Sequence, residues 1–246
     1  MDNTIELLFA KLRDCIRGSA HRPCFLGFLD ESQAALCKDY LKREPARHMF
    51  FGGYADAQRV MVGFFPDYME PAQEAFPILP MTFTYRREDK PGHRDFLGSF
   101  MGLGIERDVV GDILVGEGRC VVFIREEMGR YFTDNLRKIG RIGVKLSEGC
   151  QHPLPDSRVY KPVGGVVASA RLDCMVALLC KTSREKAAGM IIGGLAAVNH
   201  LEVLAGDRKI EESDIITVRG YGKFIIDTLG PLTGKGRLKV QCRKYQ

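Results

Sequence analysis

The chain has 246 residues, of which 45% are hydrophobic and 27% are charged, and its formal net charge is +5. This composition excludes a wholly disordered or collagen-like chain and supplies enough apolar material for a sizeable core. No apolar run approaches the roughly 20 residues that a membrane-spanning helix needs, and the acidic, polar N-terminus lacks a secretory signal pattern. We therefore predict a cytoplasmic protein without a membrane partner.

The first 77 residues carry mixed helix and strand patterns. Apolar residues at three- and four-residue spacing predict helices over 4–17 and 30–43, and two short β-rich runs predict strands at 48–51 and 60–65. We assign residues 1–77 to an N-terminal α/β segment.

The next stretch has a clearer order. The patterns predict, in sequence, a strand at 79–85, a helix at 94–103, strands at 112–115 and 119–124, a helix at 126–139 and a strand at 142–146. Strand, helix, strand, strand, helix, strand is the ferredoxin-like (RRM-like) βαββαβ order. Residues 78–148 are therefore predicted to form a ferredoxin-like middle domain, and the fold class is α+β.

The remainder divides into three parts. Residues 149–162 contain three prolines and no periodicity, which is typical of a linker. Residues 163–228 carry two short helical patterns, at 172–180 and 184–192, flanked by strands, as expected of a small C-terminal αβ domain. Residues 229–246 are interpreted as a basic tail.

The C-terminal domain contains four short motifs in a characteristic order, and each alone is trivial. They are Ser169-Ala170-Arg171-Leu172-Asp173, Thr182-Ser183-Arg184-Glu185-Lys186-Ala187, Val198-Asn199 and Asp214-Ile215-Ile216-Thr217-Val218-Arg219-Gly220. Together they resemble the S-four domain, the small RNA-binding domain named after the fourth small-subunit ribosomal protein. The resemblance implies RNA contacts from seven residues: Arg171, Ser183, Arg184, Lys186, Asn199, Arg219 and Lys223.

The chemistry of these residues suits a phosphate. A helix N-terminus presents unpaired N–H groups, Ser183 adds a hydroxyl, and an exposed Arg184 adds a planar fork of donors. For Asn199 the alternative is a role in fixing a turn. Leu195 and Ala197 stand where the S-four domain commonly has basic residues, so its basic surface is thinner here.

The positive charge is unevenly distributed. Residues 1–162 are neutral overall, and five basic residues with no acid follow Asp227. Such clusters favour a polyanionic partner, the alternative being a solvated surface. Possible secondary RNA contacts are two basic groups, one in the middle domain and one in the tail: Arg137, Lys138, Arg141, Lys145, Lys235, Arg237 and Lys239.

Further motifs narrow the family. Residues 51–54 (FGGY), 93–105, 110–115 (VGDILV) and 219–224 look like those of bacterial YlmH-type proteins, which carry a C-terminal S-four domain. The resemblance implies a ribosome-associated, RNA-binding protein with ribosomal RNA, tRNA or both as partners. A role in rescuing stalled large ribosomal subunits is a hypothesis from the same resemblance. We expect a monomer.

Catalytic signatures are absent from the sequence. It contains no Gly-x-Ser-x-Gly, phosphate-loop or His-Glu-x-x-His motif, and its eight cysteines form no Cys-x-x-Cys. His93 near Asp95 is a candidate for proton handling, with a solvent-exposed or helix-capping role as the alternative. We predict no catalytic residue, no cofactor and no metal. The alternatives are an RNA-modifying enzyme with an unrecognised site and a protein-interaction factor.

Overall fold

The computed structural model describes residues 3–155, 160–234 and 236–245. The chain divides into two compact units, Met1–Ser157 and Arg158–Gln246, and their boundary falls inside the stretch predicted as a linker. The predicted mixture of helices and strands is confirmed. Within the described ranges, no helix has both the length and the apolar composition needed to cross a membrane.

The N-terminal part of unit 1 is built on a small antiparallel sheet with strand order β1-β3-β2. Its elements are α1 (Asn3–Gly18), β1 (Cys24–Leu29), α2 (Glu31–Leu41), β2 (His48–Phe51) and β3 (Val60–Phe64). The Asp30 side chain caps α2 by accepting the Gln33 backbone N–H. The sequence patterns missed β1, because its continuous run of apolar residues and one glycine lacks the alternation that identifies a half-buried strand.

The middle of unit 1 is a four-stranded antiparallel sheet with order β5-β6-β4-β9 and a separate hairpin. Its elements are β4 (Ile78–Thr84), α3 (His93–Gly102), β5 (Val110–Val115), β6 (Arg119–Arg125), α4 (Gly129–Asn135), β7 (Lys138–Ile139), β8 (Ile142–Gly143) and β9 (Lys145–Glu148). The predicted helix over 126–139 is thus too long. Leu136 takes an extended conformation that ends α4, and β7 pairs with β8 directly after it.

Both faces of the four-stranded sheet are used in packing. On one face, Phe83 and Val122 pack with α3 and α4 around Phe96, Phe100 and Phe132. The opposite face carries Leu114, Val121 and Phe123, which pack against the three-stranded sheet in a second cluster. Residues 1–77 and 78–148, predicted as separate segments, therefore lie in one unit.

Unit 2 is a six-stranded antiparallel sheet with order β10-β15-β14-β13-β11-β12. Its elements are β10 (Tyr160–Val167), α5 (Leu172–Leu179), α6 (Arg184–Ile192), β11 (Ala196–Val198), β12 (Leu201–Glu202), β13 (Ile215–Val218), β14 (Gly222–Leu232) and β15 (Leu238–Tyr245). Residues of α5 and α6 pack in a single core with Phe224, Ile226, Val240 and Cys242 of the sheet.

The interpretation of residues 229–246 as a basic tail is corrected. This segment contains the end of β14 and all of β15, and β15 pairs with β10 on one side and β14 on the other. Similarly, β10 begins at Tyr160, inside the predicted linker. The physical reason is the period of two in β15: Val240 and Cys242 are buried, whereas Lys239, Gln241 and Arg243 are exposed.

Candidate nucleic-acid interface

Two arginines of the S-four-like motif meet at one carboxylate. Asp173, on the first turn of α5, has a side chain only 8% exposed. Arg184 donates from both Nε and Nη2 to its Oδ2, at 3.1 and 2.9 Å. Arg171 donates from Nε to Oδ1 at 3.3 Å and from Nη2 to Oδ2 at 3.1 Å. The structure thus brings Arg171 and Arg184 together and gives both a partner that the sequence analysis did not assign.

The electrostatics of this cluster follow from its geometry. Burial acts to raise the pKa of Asp173, but hydrogen bonds from Arg171, Arg184 and the Cys174 backbone N–H outweigh it and lower that pKa below its ordinary value. The hydrogen bond to Asp173 in turn raises the pKa of Arg171, and Asp207 adds to this effect. Two guanidinium groups share one buried carboxylate, so Arg171, Arg184 and Asp173 together carry a net positive charge. Asp207 partly offsets this charge.

Ser183 and Lys186 stand at the first turn of α6. The Ser183 oxygen accepts the Lys186 backbone N–H at 3.2 Å and so caps the helix. The hydroxyl proton can still be donated, because capping uses only a lone pair. Both side chains are exposed beside Arg184. These residues form one surface with Arg171, which we name the α5–α6 cluster: Arg171, Ser183, Arg184 and Lys186.

The other three residues of the predicted set lie elsewhere in unit 2. Asn199 has a positive φ of 50°. It donates to Asp214 Oδ1 at 2.7 Å and accepts the Ile215 backbone N–H, contacts that fix a turn. Arg219 follows β13 and its side chain is exposed. Lys223 lies on β14, with its Nζ 4.6 Å from the centre of the Tyr245 ring.

The basic residues of the middle domain surround the β7–β8 hairpin. Arg137 precedes the hairpin, Lys138 and Arg141 lie within it, and Lys145 opens β9. All four side chains are exposed. The Gly140 backbone N–H donates to Ser99 Oγ at 3.0 Å, which ties the tip of the hairpin to α3. We call these four residues the basic hairpin.

The basic residues near the C-terminus have different positions. Lys235 lies outside the described residues. Arg237 is exposed in the turn between β14 and β15, where its backbone N–H donates to Thr233 Oγ1. Lys239 is exposed on β15. The described residues of this group are therefore held by a sheet and its turn.

The FGGY and VGDILV motifs are joined by Asp112, a connection that the sequence analysis missed. The buried Asp112 carboxylate accepts Tyr54 Oη at 2.7 Å, the Gln58 backbone N–H at 2.7 Å and the Arg59 backbone N–H at 3.0 Å. Tyr54 also stacks on Phe123, with ring centres 5.1 Å apart. The motifs thus fix the loop before β3 to the four-stranded sheet, which is a structural role.

Asp95, considered above together with His93, takes part in starting a helix. Asp95 accepts the Gly92 backbone N–H at 2.7 Å and so completes the start of α3. Burial lowers the pKa of His93, and the nearby Arg107 lowers it further. Among the described residues, no three His, Cys, Asp or Glu side chains gather as metal ligands would.

Comparison with known proteins matches part of the chain to a described family. Residues 71–151 match the family described as "Putative RNA-binding domain in YlmH". This segment contains the four-stranded sheet, α3, α4 and the basic hairpin. The resemblance of the chain to YlmH-type proteins is thereby confirmed.

Two particular relatives extend the similarity beyond that segment. The chain is 26% identical over 226 residues to the Bacillus subtilis (strain 168) "Ribosome-associated protein quality control protein P2", covering 89% of this chain and 86% of that protein. It also resembles the solved structure of "Cell division protein ylmH from Streptococcus pneumoniae", with 29% identity and a TM-score of 0.52. That match covers 61% of this chain and 93% of the solved one.

Proposed function

We propose that this chain is a non-catalytic RNA-binding protein that acts on the ribosome, with a role in quality control of stalled large ribosomal subunits. The observation that carries the proposal is the match of residues 71–151 to an RNA-binding domain family. The Bacillus subtilis relative, similar over most of both chains, is named for ribosome-associated quality control, which supports the ribosome as partner.

Within the matched segment, the basic hairpin is the surface we propose for RNA. RRM-type domains bind RNA by stacking bases on sheet aromatics. Here Phe123 is buried and stacked on Tyr54, and the opposite sheet face packs on α3 and α4. A polar groove of about 600 Å³ remains beside β4 and β9, but Glu117 and Glu148 line it together with Arg87 and Arg119. Mixed charge suits a polyanion less well than four exposed cations do.

In unit 2 we propose the α5–α6 cluster as a second RNA contact. The bonds to Asp173 hold the guanidinium groups of Arg171 and Arg184 in place, so less side-chain entropy is lost when they bind a phosphate. Each guanidinium has five N–H donors and spends only two on Asp173, which leaves donors for a ligand. Ser183 and Lys186 extend the same surface.

The proposal also covers the types of the two domains, the oligomeric state and the RNA partners. Strand order β5-β6-β4-β9, with α3 between β4 and β5, supports a ferredoxin-like middle domain. The α5–α6 arrangement and the motifs on it support an S-four domain in unit 2. We propose a monomer that contacts ribosomal RNA and tRNA. Asn199, Arg219 and Lys223 are retained as proposed RNA contacts of unit 2, with Asn199 acting through the turn that it fixes.

A salt titration tests the proposal directly. Binding of the full chain to large ribosomal subunits is measured by co-sedimentation over a range of salt concentrations. Changing the four residues of the basic hairpin to Gln should make the slope of log affinity against log salt shallower by up to about 3.6 units, near 0.9 for each phosphate contact.

The control removes the same charge from α1 and from the position just after α2, through Gln at four exposed positions: Lys11, Arg13, Arg17 and Lys42. Its slope should match that of the unaltered chain. An equal loss in both variants would show that only net charge matters and would overturn the hairpin assignment. Failure of the unaltered chain to sediment with ribosomal subunits would overturn the proposed function itself.

A further inference from the structure

The outer face of the unit 2 sheet is separate from the α5–α6 cluster. Strand β15 alternates, with Val240 and Cys242 in the core that contains α5 and α6. On β10, a Cβ at Gly165 would lie 2.3 Å from Leu178 of α5, so Gly165 also faces the helices. The residues that alternate with these along β10 and β15 therefore point away from both helices.

Two tyrosines and two cations lie together on that outer face. Tyr160 of β10 is paired in register with Tyr245 of β15, and their rings meet at 5.0 Å with an angle of 63°. Lys223 Nζ lies 4.6 Å from the centre of the Tyr245 ring. Arg243 Cζ lies 5.0 Å from the centre of the Tyr160 ring. These distances are those of cation–π contacts, which hold the cations over an aromatic surface.

The charge of this face is positive. Arg243 Nε donates to Asp227 Oδ1 at 2.8 Å, which anchors the guanidinium. Lys239 is exposed on the same face of β15, four residues before Arg243. Among the described residues, three cations and one carboxylate therefore line the outer rows of β14 and β15. We call this set the tyrosine–cation patch: Tyr160, Lys223, Asp227, Lys239, Arg243 and Tyr245.

We propose that the tyrosine–cation patch binds an unpaired RNA segment. Bases whose faces are open stack on aromatic rings and on arginine guanidinium planes, and the cations held over the rings bind the linking phosphates. A duplex hides its base faces, so the tyrosines would add nothing to its binding. The site lies on the opposite side of the sheet from α5 and α6, so it is additional to the α5–α6 cluster of the proposed function.

Because the chain contains no Trp, a single tryptophan reports on the patch alone. Tyr245→Trp in the full chain keeps an aromatic ring beside Lys223 and Tyr160. We expect its fluorescence to be quenched saturably by a 12-nucleotide oligouridylate at near-physiological salt. A duplex RNA of the same length should require at least tenfold higher concentration. If Tyr245→Trp fails to fold, Tyr160→Trp gives the same readout from the neighbouring ring.

Matched variants in the Tyr245→Trp background identify which residues of the patch bind the RNA. Lys223→Gln and Tyr160→Leu should each weaken oligouridylate binding about fivefold or more. Lys161→Gln is the control, because Lys161 adjoins Tyr160 on β10 but its side chain lies on the opposite face. It removes the same charge as Lys223→Gln and should change the affinity less than twofold. Thermal unfolding confirms that each variant is folded.

Four results would overturn the proposal: no quenching, equal quenching by the duplex, equal effects of Lys161→Gln and Lys223→Gln, or tighter binding of an oligoglutamate peptide. The last result would assign the patch to an acidic protein partner. The tryptophan signal arises at the patch itself, on the opposite side of the sheet from α5 and α6. A failure of the patch is thus distinguishable from a failure of the α5–α6 cluster or of ribosome binding.

Discussion

Arg184 donates two hydrogen bonds to the buried carboxylate of Asp173, eleven residues earlier, and so joins the start of α6 to the start of α5. The Arg184 side chain is nevertheless 56% exposed. The same guanidinium therefore stabilises unit 2 and faces solvent, where a ligand can reach it. The expectation that Arg184 is exposed is confirmed, but its pairing gives it a structural role as well.

Substitution of Arg184 should reduce both stability and RNA affinity. Arg184→Gln leaves Asp173 with Arg171 as its remaining charged partner, and we expect a loss of about 1–2 kcal/mol in unfolding free energy, reduced by solvent screening of the exposed guanidinium. RNA affinity of the folded fraction should fall about tenfold. Urea unfolding and filter binding measure the two effects.

Lys186→Gln is the control for that experiment. Only the backbone N–H of Lys186 takes part in the helix cap, and its side chain is exposed. This variant should weaken RNA binding without a measurable change in stability. If Arg184→Gln leaves stability unchanged, the pairing with Asp173 contributes nothing to the fold.

Unit 2 should lose stability at acid pH through Asp173. Its folded-state pKa is lowered, so the unfolded chain binds the proton more tightly than the folded chain does. The stabilisation is complete above the unfolded pKa, near 4, and is lost as pH falls through the folded value. Hydrogen exchange of α5 and α6 between pH 5 and pH 3 measures it.

Asp173→Asn provides the comparison, because the amide has nearly the same shape and does not titrate in this range. It should lower the stability of unit 2 at pH 7 and flatten the acid-dependent loss in α5 and α6. A variant with the same steep acid dependence as the unaltered chain would show that other carboxylates control it.

Asp112 should be essential for the stability of unit 1. Asp112→Ala removes the acceptor of the Tyr54 hydroxyl and of two backbone N–H groups, and we expect a loss of roughly 3 kcal/mol. Tyr54→Phe removes only one of these bonds and should cost about 1 kcal/mol. Urea unfolding gives the magnitudes, and hydrogen exchange assigns them to unit 1. Equal losses for the two variants would contradict the proposed network.

Removal of residues 235–246 should unfold unit 2. The deletion takes away β15, exposes the core beneath Val240 and Cys242, and separates β10 from β14. Loss of the corresponding part of the far-UV circular dichroism signal and rapid proteolysis of residues 160–234 are expected. Lys239→Gln removes charge but keeps the strand, and it should remain folded. A truncated chain with full protease resistance would restore the interpretation of this segment as a tail.

Local sequence patterns determined the helices that carry the α5–α6 cluster. Apolar spacing and the capping side chain of Ser183 depend on residues within a few positions, so α6 was predicted with its observed bounds. The basic hairpin was also predicted as an exposed cationic stretch. The helix predicted over 126–139 wrongly included Arg137 and Lys138, because the chain becomes extended at Leu136 and then makes strand pairs.

Only the tertiary structure decided which groups are paired and which faces are covered. Asp173 meets Arg184, and Phe123 meets Tyr54, across sequence separations that no local period encodes. Strand β15 is a further example. The alternation of apolar and polar residues along it can be read from the sequence, but the strands with which it pairs cannot. Burial of Val240 and Cys242 against helices far earlier in the chain made this segment a strand, and thereby placed Tyr245 beside Tyr160. Long-range packing, rather than composition, separates a solvated basic tail from a structured surface.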